Sequence, residues 1–259
     1  MILVGIVVLV LGVLYAPTVA QSTVTHDTLC EWGLVAQIQA PVPMPKCTFS
    51  ITGNITAADV SAFERAVELA KSKGFDLQNV PVILDTGGGS MSAAFAIGRT
   101  LRREKMKAYV YSDAKCFSAC VLLLAGAVDR HVYGPVGIHR PFSSDTFETK
   151  DQATAQRAYG ALANETRTFL KEMNLPDFLF DAMLRVRPEE MKILTPEELK
   201  NYGLAQSDPV FDEMEAARMA NQLGISKMEY HRRRATGWKC SELKTPEAVQ
   251  KCHDDVWRK

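Results

Sequence analysis

Between residues 48 and 139, short apolar runs alternate with stretches of helical periodicity, and that alternation leaves few folds open to the chain. Residues 48–52 read as a short strand. Thr56 then stands as a helix N-cap with Asp59 three residues on, a shorter relative of the capping box. Val60, Phe63, Val67 and Ala70 follow at helical spacing, and the pattern ends near Gly74. Residues 80–84 form a continuous apolar run suited to a buried parallel strand. A loop over 85–90 leads into a helix carrying Ala94, Ile97, Gly98 and Leu101. Residues 107–112 alternate like a strand, 117–127 read as a buried helix, and 131–133 and 136–139 as short strands. Strand, helix, strand, helix, strand means repeated βαβ units around a largely parallel sheet, so the fold class is α/β.

The rest of the chain divides around that unit. A long helix is expected over 150–173, with shorter ones over 177–184 and 196–202 and Gly203 at a C-capping position. Residues 21–47 look irregular, with Pro41, Pro43 and Pro45 close together. We divide the chain into 1–20, 21–47, an α/β domain over 48–210 and a small, polar, helical appendage over 211–259. Lys+Arg and Asp+Glu both number 30, so no bulk charge draws the protein to nucleic acid or to an anionic membrane. The basic run from His231 to Arg234 reads as a solvated helix face.

Residues 1–16 are almost wholly apolar and are followed by P-T-V-A-Q-S, the pattern of a secretory signal cleaved after Ala20. No Lys or Arg precedes the run, so an uncleaved anchor is the second reading, although the run is short for a full span. Any membrane contact would pass through this segment. The six cysteines, Cys30, Cys47, Cys116, Cys120, Cys240 and Cys252, all lie beyond it. An even number in an exported chain points to disulfides in a periplasmic or extracellular setting. Six cysteines allow fifteen full pairings, of which sequence neighbours give the simplest: Cys30–Cys47, Cys116–Cys120 and Cys240–Cys252. The alternative for the middle pair is two reduced, buried thiols. No C-x-x-C pair or histidine cluster suggests zinc, and no metal or organic cofactor is expected.

Three segments carry chemistry. L-D-T-G-G-G-S spans residues 84–90, C-F-S-A-C-V-L-L-L-A-G-A spans 116–127 and G-P-V-G-I-H-R-P spans 134–141. Ser118 heads an apolar helix and His139 ends a strand. A serine hydroxyl is a weak nucleophile until a nearby base takes its proton. A tetrahedral intermediate also needs backbone N–H donors, which glycine lets approach closely. Each piece has a plainer reading. Ser118 suits a helix cap, His139 a satisfied core position, and Gly87 to Gly89 a structural turn or a phosphate loop. No G-x-x-x-x-G-K-[ST] is present to support phosphate binding. It is the order of the three segments that favours acyl transfer.

That order resembles the Clp protease proteolytic subunit and the wider ClpP/crotonase fold, over roughly residues 48–209. T-P-E-E-L-K-N-Y-G-L at 195–204 is similar to a late stretch of the same family. The resemblance implies a ClpP/crotonase-like spiral of βαβ units and a serine hydrolase, most often a peptidase acting on polypeptide. It makes Ser118 the nucleophile and His139 the general base. Gly89 and Ala119 become the oxyanion-hole donors, with Gly88 permitting the turn. It also implies homo-oligomerisation. An N–H at a helix N-terminus favours developing negative charge, which gives Ala119 the same role on physical grounds.

The family's third residue, an aspartate, aligns near Arg187, which is not acidic. Glu189 and Glu190 lie close enough in sequence to substitute, and Asp181 is a weaker option. Related membrane-associated peptidases of this fold use a Ser–Lys dyad, for which Lys150 is the candidate here. Its polar neighbours, among them Asp145, Glu148 and Asp151, leave it solvated, and a lysine base needs burial to lower its pKa. His139 is therefore preferred. The main rival to a hydrolase is a peptide-binding or scaffold protein that has lost turnover. A carboxylate on His139 would favour the enzyme. A crotonase-like acyl-CoA enzyme is the third reading, and export argues against it.

Overall fold

A computed structural model describes residues 31–34, 43–142 and 151–258. The expected signal or anchor over 1–20, Cys30 and Lys150 lie outside the described residues. Part of the 21–47 stretch expected to be irregular is ordered: β1 (Glu31–Leu34) and β2 (Pro43–Lys46) pair as an antiparallel ribbon. Proline-rich sequence hides this, because prolines in a two-stranded ribbon need only keep their missing N–H off the ladder.

The body alternates as expected. β3 (Phe49–Ile55) leads into α1 (Ala57–Ser72), whose first turn is held where Asp59 accepts the Thr56 N–H at 2.6 Å. β4 (Pro81–Gly89) follows, then α2 (Met91–Arg103), β5 (Lys107–Val110), β6 (Cys116–Phe117), α3 (Cys120–Gly126), β7 (Asp129–Val132) and β8 (Val136–Ile138). α4 (Gln152–Glu172), α5 (Phe178–Arg185), the two-residue β9 (Lys192–Ile193) and α6 (Pro196–Asn201) complete it. Three further helices form the tail: α7 (Pro209–Leu223), α8 (Lys227–Cys240) and α9 (Pro246–Trp257).

β4 organises the sheet. On one side it pairs in parallel with β3, from Val82 opposite Phe49 to Gly89 opposite Ile55. On the other it pairs first with β5 over Pro81 to Ile83, and then with β6 at Thr86. The strand order on that path is β7-β5-β4-β6-β8-β9, and only β9 runs antiparallel to its neighbour. The glycine triplet is therefore the last stretch of a strand, where the sequence suggested a loop. Ser90 caps α2 directly after it, its Oγ accepting from the Ala93 N–H at 3.3 Å. The Asp85 carboxylate before the glycines accepts from the Lys115 N–H at 3.1 Å.

Phe49, Ile51, Leu84, Phe95, Leu101, Leu122, Phe169 and Phe180 are shut off from solvent between the sheet and the helices. α2 and α3 cross almost backbone to backbone: a Cβ on Gly126 would lie 2.3 Å from the Gly98 carbonyl oxygen. Arg130 of β7 is buried beside them. Its guanidinium donates to the carbonyls of Leu124, Ala125 and Gly203 at 2.8–3.1 Å, and to Met173 at 3.5 Å. It thereby closes the ends of α3, α4 and α6, whose last carbonyls have no partner within the helix. Burial, with Arg102 nearby, pushes this guanidinium down to about 10, which still leaves it charged at neutral pH.

Candidate active site

Ser118 sits between a strand and a helix. The expected helix over 117–127 begins later, at Cys120, because Cys116 and Phe117 pair with β8 and Cys116 also pairs with β4. Ser118 itself turns the chain at φ 56°. It is thus no N-cap, and the capping explanation for a serine here falls away. A left-handed residue other than glycine costs about 1–2 kcal/mol. Here the Ser118 N–H donates to the Gly137 carbonyl at 3.0 Å, and the Ser118 carbonyl accepts from Val121 at 3.0 Å. The turn lifts a half-buried hydroxyl out of the sheet toward β8.

His139 follows β8 and is buried. Its Nε2 lies 2.6 Å from Ser118 Oγ, and its Nδ1 lies 3.0 Å from the carbonyl oxygen of Arg140. A carbonyl oxygen can only accept, so Nδ1 carries the proton. Nε2 is then the free lone pair, and the serine O–H donates to it. The Arg140 carbonyl is itself held. The Arg140 N–H donates to Val186 at 3.0 Å, and the Arg140 side chain donates to the Leu184 carbonyl at 2.7–2.9 Å. Nothing in the sequence marked Arg140 for this position.

The carboxylates considered for a third member are placed elsewhere. Glu190 pairs with Arg187, which holds its carboxyl below the usual range. Glu189 is exposed and reaches no imidazole nitrogen. Asp181 pairs with Arg167 at 2.7 Å. Arg187, the aligned position, thus places its charge in an exposed ion pair with Glu190.

The glycines pack against the serine turn. At Gly88, φ is 109° and a Cβ would lie 2.7 Å from Ser118 Cβ and 3.1 Å from the Ala119 nitrogen. Its N–H donates to Thr86 Oγ1 at 3.0 Å. Gly89, at φ 140°, lies where a Cβ would meet the Ile55 carbonyl at 2.3 Å. Gly87 has no such neighbour within 4 Å. Ala119 is buried beside Ser118 and turns the chain into α3.

These residues line a cleft of about 720 Å³ that includes Asn54, Gly87, Gly89, Ser90, Met91, Ser92, Ser118, His139, Pro141, Phe142, Leu162 and Pro188. An apolar recess of about 20 Å³ opens beside it, walled by Met91, Ala119, Leu122, Ile138, Pro141 and Met183. Among the described residues no cluster of His, Cys, Asp or Glu is placed to hold a metal ion. Nor is any described helix long and apolar enough to cross a membrane.

Two of the three expected disulfides are formed: Cys116–Cys120, which brackets Ser118, and Cys240–Cys252, which joins α8 to α9. The third expected pair involves Cys30, outside the described residues.

No protein-family model and no curated protein matches the sequence. Solved structures similar to the chain include a serine-to-alanine mutant of the 1510-N membrane-bound stomatin-specific protease. It is 20% identical with a TM-score of 0.45, over 61% of this chain and 76% of that one. A lysine-to-alanine mutant of the same protease, in complex with a substrate peptide, is 21% identical with a TM-score of 0.44, over 61% and 72%. An asparagine-to-aspartate mutant of ClpP1 from Listeria monocytogenes is 16% identical with a TM-score of 0.43, over 61% and 88%.

Proposed function

We propose that the protein is an exported serine hydrolase, a peptidase, with Ser118 as nucleophile and His139 as general base. The observation that carries this reading is the 2.6 Å contact between Ser118 Oγ and a His139 Nε2 whose lone pair is free. In the reaction Ser118 Oγ attacks an acyl carbon while its proton moves to Nε2. Nε2 returns that proton to the leaving group, and a water then repeats the cycle to release the acyl chain. In this reading the N–H groups of Ala119 and Gly89 are the donors to the developing oxyanion, for which backbone donors are worth most in a site closed to water.

The Arg140 carbonyl takes the place of a third acid. It fixes the tautomer and orientation of the imidazole but supplies no full negative charge to the imidazolium. A neutral acceptor in that position supports turnover more slowly than a carboxylate. The sequence resemblance supports a polypeptide substrate, lying extended in the open cleft. The small apolar recess beside Ser118 suits a residue with a short side chain, because a space of this size holds little more than one water-sized group. The two disulfides suit an oxidising compartment outside the cytoplasm.

A second reading has one observation in its favour: among the described residues no carboxylate stands on His139, as in a peptide-binding protein without turnover. Labelling of the oxidised protein with a fluorophosphonate, followed by mass mapping, separates the two. The hydrolase predicts modification at Ser118, absent in Ser118→Ala and strongly reduced in His139→Ala. An oxidised, folded protein that stays unlabelled would be the binding protein.

A further inference from the structure

The Cys116–Cys120 bond closes a five-residue loop whose middle residue is Ser118. The chain enters this loop from a strand and leaves it into a helix, turning at the one left-handed non-glycine residue within it. Two other backbone paths compete with that turn. In the first, α3 grows backward through Ser118 and Phe117, as the run of helix-forming residues favours. Side chains four apart on a helix keep their Cβ atoms about 5–6 Å apart. A disulfide needs them about 3.5–4.5 Å apart, so the bond does not fit a continued helix. In the second, β6 runs on as a strand, and four extended steps would part the two Cα atoms by about 13 Å. They are 5.1 Å apart. The bond therefore excludes both regular alternatives and admits the turn.

The strand before the turn is short. β6 is only two residues long, meeting β4 at the single pair Thr86 and Cys116 and β8 at Cys116–Val136 and Phe117–Gly137. One hydrogen bond, from the Ser118 N–H to the Gly137 carbonyl, holds the serine itself to the sheet. A helix continued through Ser118 would break that bond and swing Oγ away from His139 Nε2.

We propose that Cys116 and Cys120 are positioning residues: their disulfide holds Ser118 in the left-handed turn that aims its hydroxyl at His139. The consequence for reactivity rests on the hydrolase reading above, whereas the geometric claim does not. Activation of the serine then depends on a covalent bond that forms only after the chain has met an oxidant. Both sulfurs are buried, so once made the bond is a fixed part of the site.

The test compares the full oxidised chain with Cys116→Ala/Cys120→Ala, using Cys240→Ser/Cys252→Ser as a variant that loses a disulfide far from Ser118. Two quantities are read. One is the fluorophosphonate reaction at Ser118, split into probe half-saturation and maximal rate. The other is the backbone conformation of Ser118, from its 13C shifts and HN–Hα coupling in serine-labelled protein. In the alanine pair the maximal rate falls by about 100-fold, the scale of an ångström-sized misplacement, with half-saturation little changed. The positive φ at Ser118 is lost. The Cys240/Cys252 variant keeps both.

Should the alanine pair fail to fold, the same readings are taken on Cys116→Val/Cys120→Ala, which refills more of the buried volume that the sulfurs leave. A Ser118 that keeps its left-handed conformation without the bond overturns the proposal, as does an unchanged maximal rate. If the oxidised wild type is itself unlabelled, the hydrolase reading fails, and the Ser118 conformation alone decides the positioning role.

Discussion

From β3 to β8 the side chains that hold the chain together are apolar and closed to solvent, while from α7 to α9 they are charged and wet. Phe49, Phe63, Phe95, Leu101 and Leu122 are all buried, whereas α9 has no buried residue and α8 only Gly237 and Cys240. The tail relies on ion pairs such as Lys227–Glu213, Arg234–Asp212 and the two arginines Arg232 and Arg233 around Glu229. Those arginines hold the Glu229 carboxyl down to about 2, yet exposed pairs contribute little to stability. A region of that kind needs a covalent fastening, and Cys240–Cys252 supplies one. Each region thus carries a disulfide for a different reason: in the tail it replaces a missing core, and in the body it shapes one turn inside a core already present.

The largest expected effect falls on the body. Gly88→Ala places a Cβ against Ser118 Cβ and the Ala119 nitrogen at a φ that only glycine adopts readily. Fluorophosphonate labelling falls by about 100-fold, the cost of displacing the serine turn. Gly87→Ala, with open space around it, labels as wild type. Next in size, Arg130→Met leaves four buried carbonyls short of a donor and lowers the unfolding free energy by about 3 kcal/mol or more in urea titration. Cys240→Ser/Cys252→Ser costs about 3 kcal/mol by the loop-closure argument. The cost is confined to the tail, so hydrogen exchange speeds up in α8 and α9 while the body keeps its protection.

A smaller effect concerns the joint between the regions. Buried Asp208 caps α7, its N–H donates to the Val128 carbonyl at 2.7 Å, and its carboxylate accepts from Arg102 at 2.6 Å and Asn174 at 3.0 Å. Burial raises its pKa, but the Phe211 N–H, Arg102 and Asn174 outweigh that and hold it below the usual range. A depressed carboxyl contributes stability that is whole above the unfolded pKa and is lost as pH falls through the folded one. The tail is therefore expected to loosen in acid, below about pH 4. Asp208→Asn should be less stable at neutral pH and flatter in that window. Last, Glu229→Gln should leave the melting temperature of the body unchanged; a large drop would break the contrast drawn here.

Much of this was legible in the sequence, and what was not has physical causes. The apolar run over 80–84 gave away β4, whose Val82 and Leu84 lie in the core, and the helical spacing of Phe63, Val67 and Ala70 gave away α1. Ser118 and His139 were legible as a pair because a strand-end histidine and a helix-start serine in adjacent βα units are brought to the same end of a parallel sheet. The left-handed turn at Ser118 was hidden, since the side chain is not the glycine or asparagine that normally announces one. β9 was hidden because two residues carry no alternation. The partner of His139 Nδ1 was hidden most deeply, because a backbone carbonyl has no letter in the sequence, and the search for an acid looked only at side chains.

β4 changes partners partway along, and that arrangement has a consequence in time. Its ladders to β3, β5 and β6 each join segments far apart in the chain, and such non-local parallel pairings form slowly. The Ser118 turn rests on β6 and β8, so it takes shape only once these pairings have formed. Until then the hydroxyl has no imidazole beside it to take its proton.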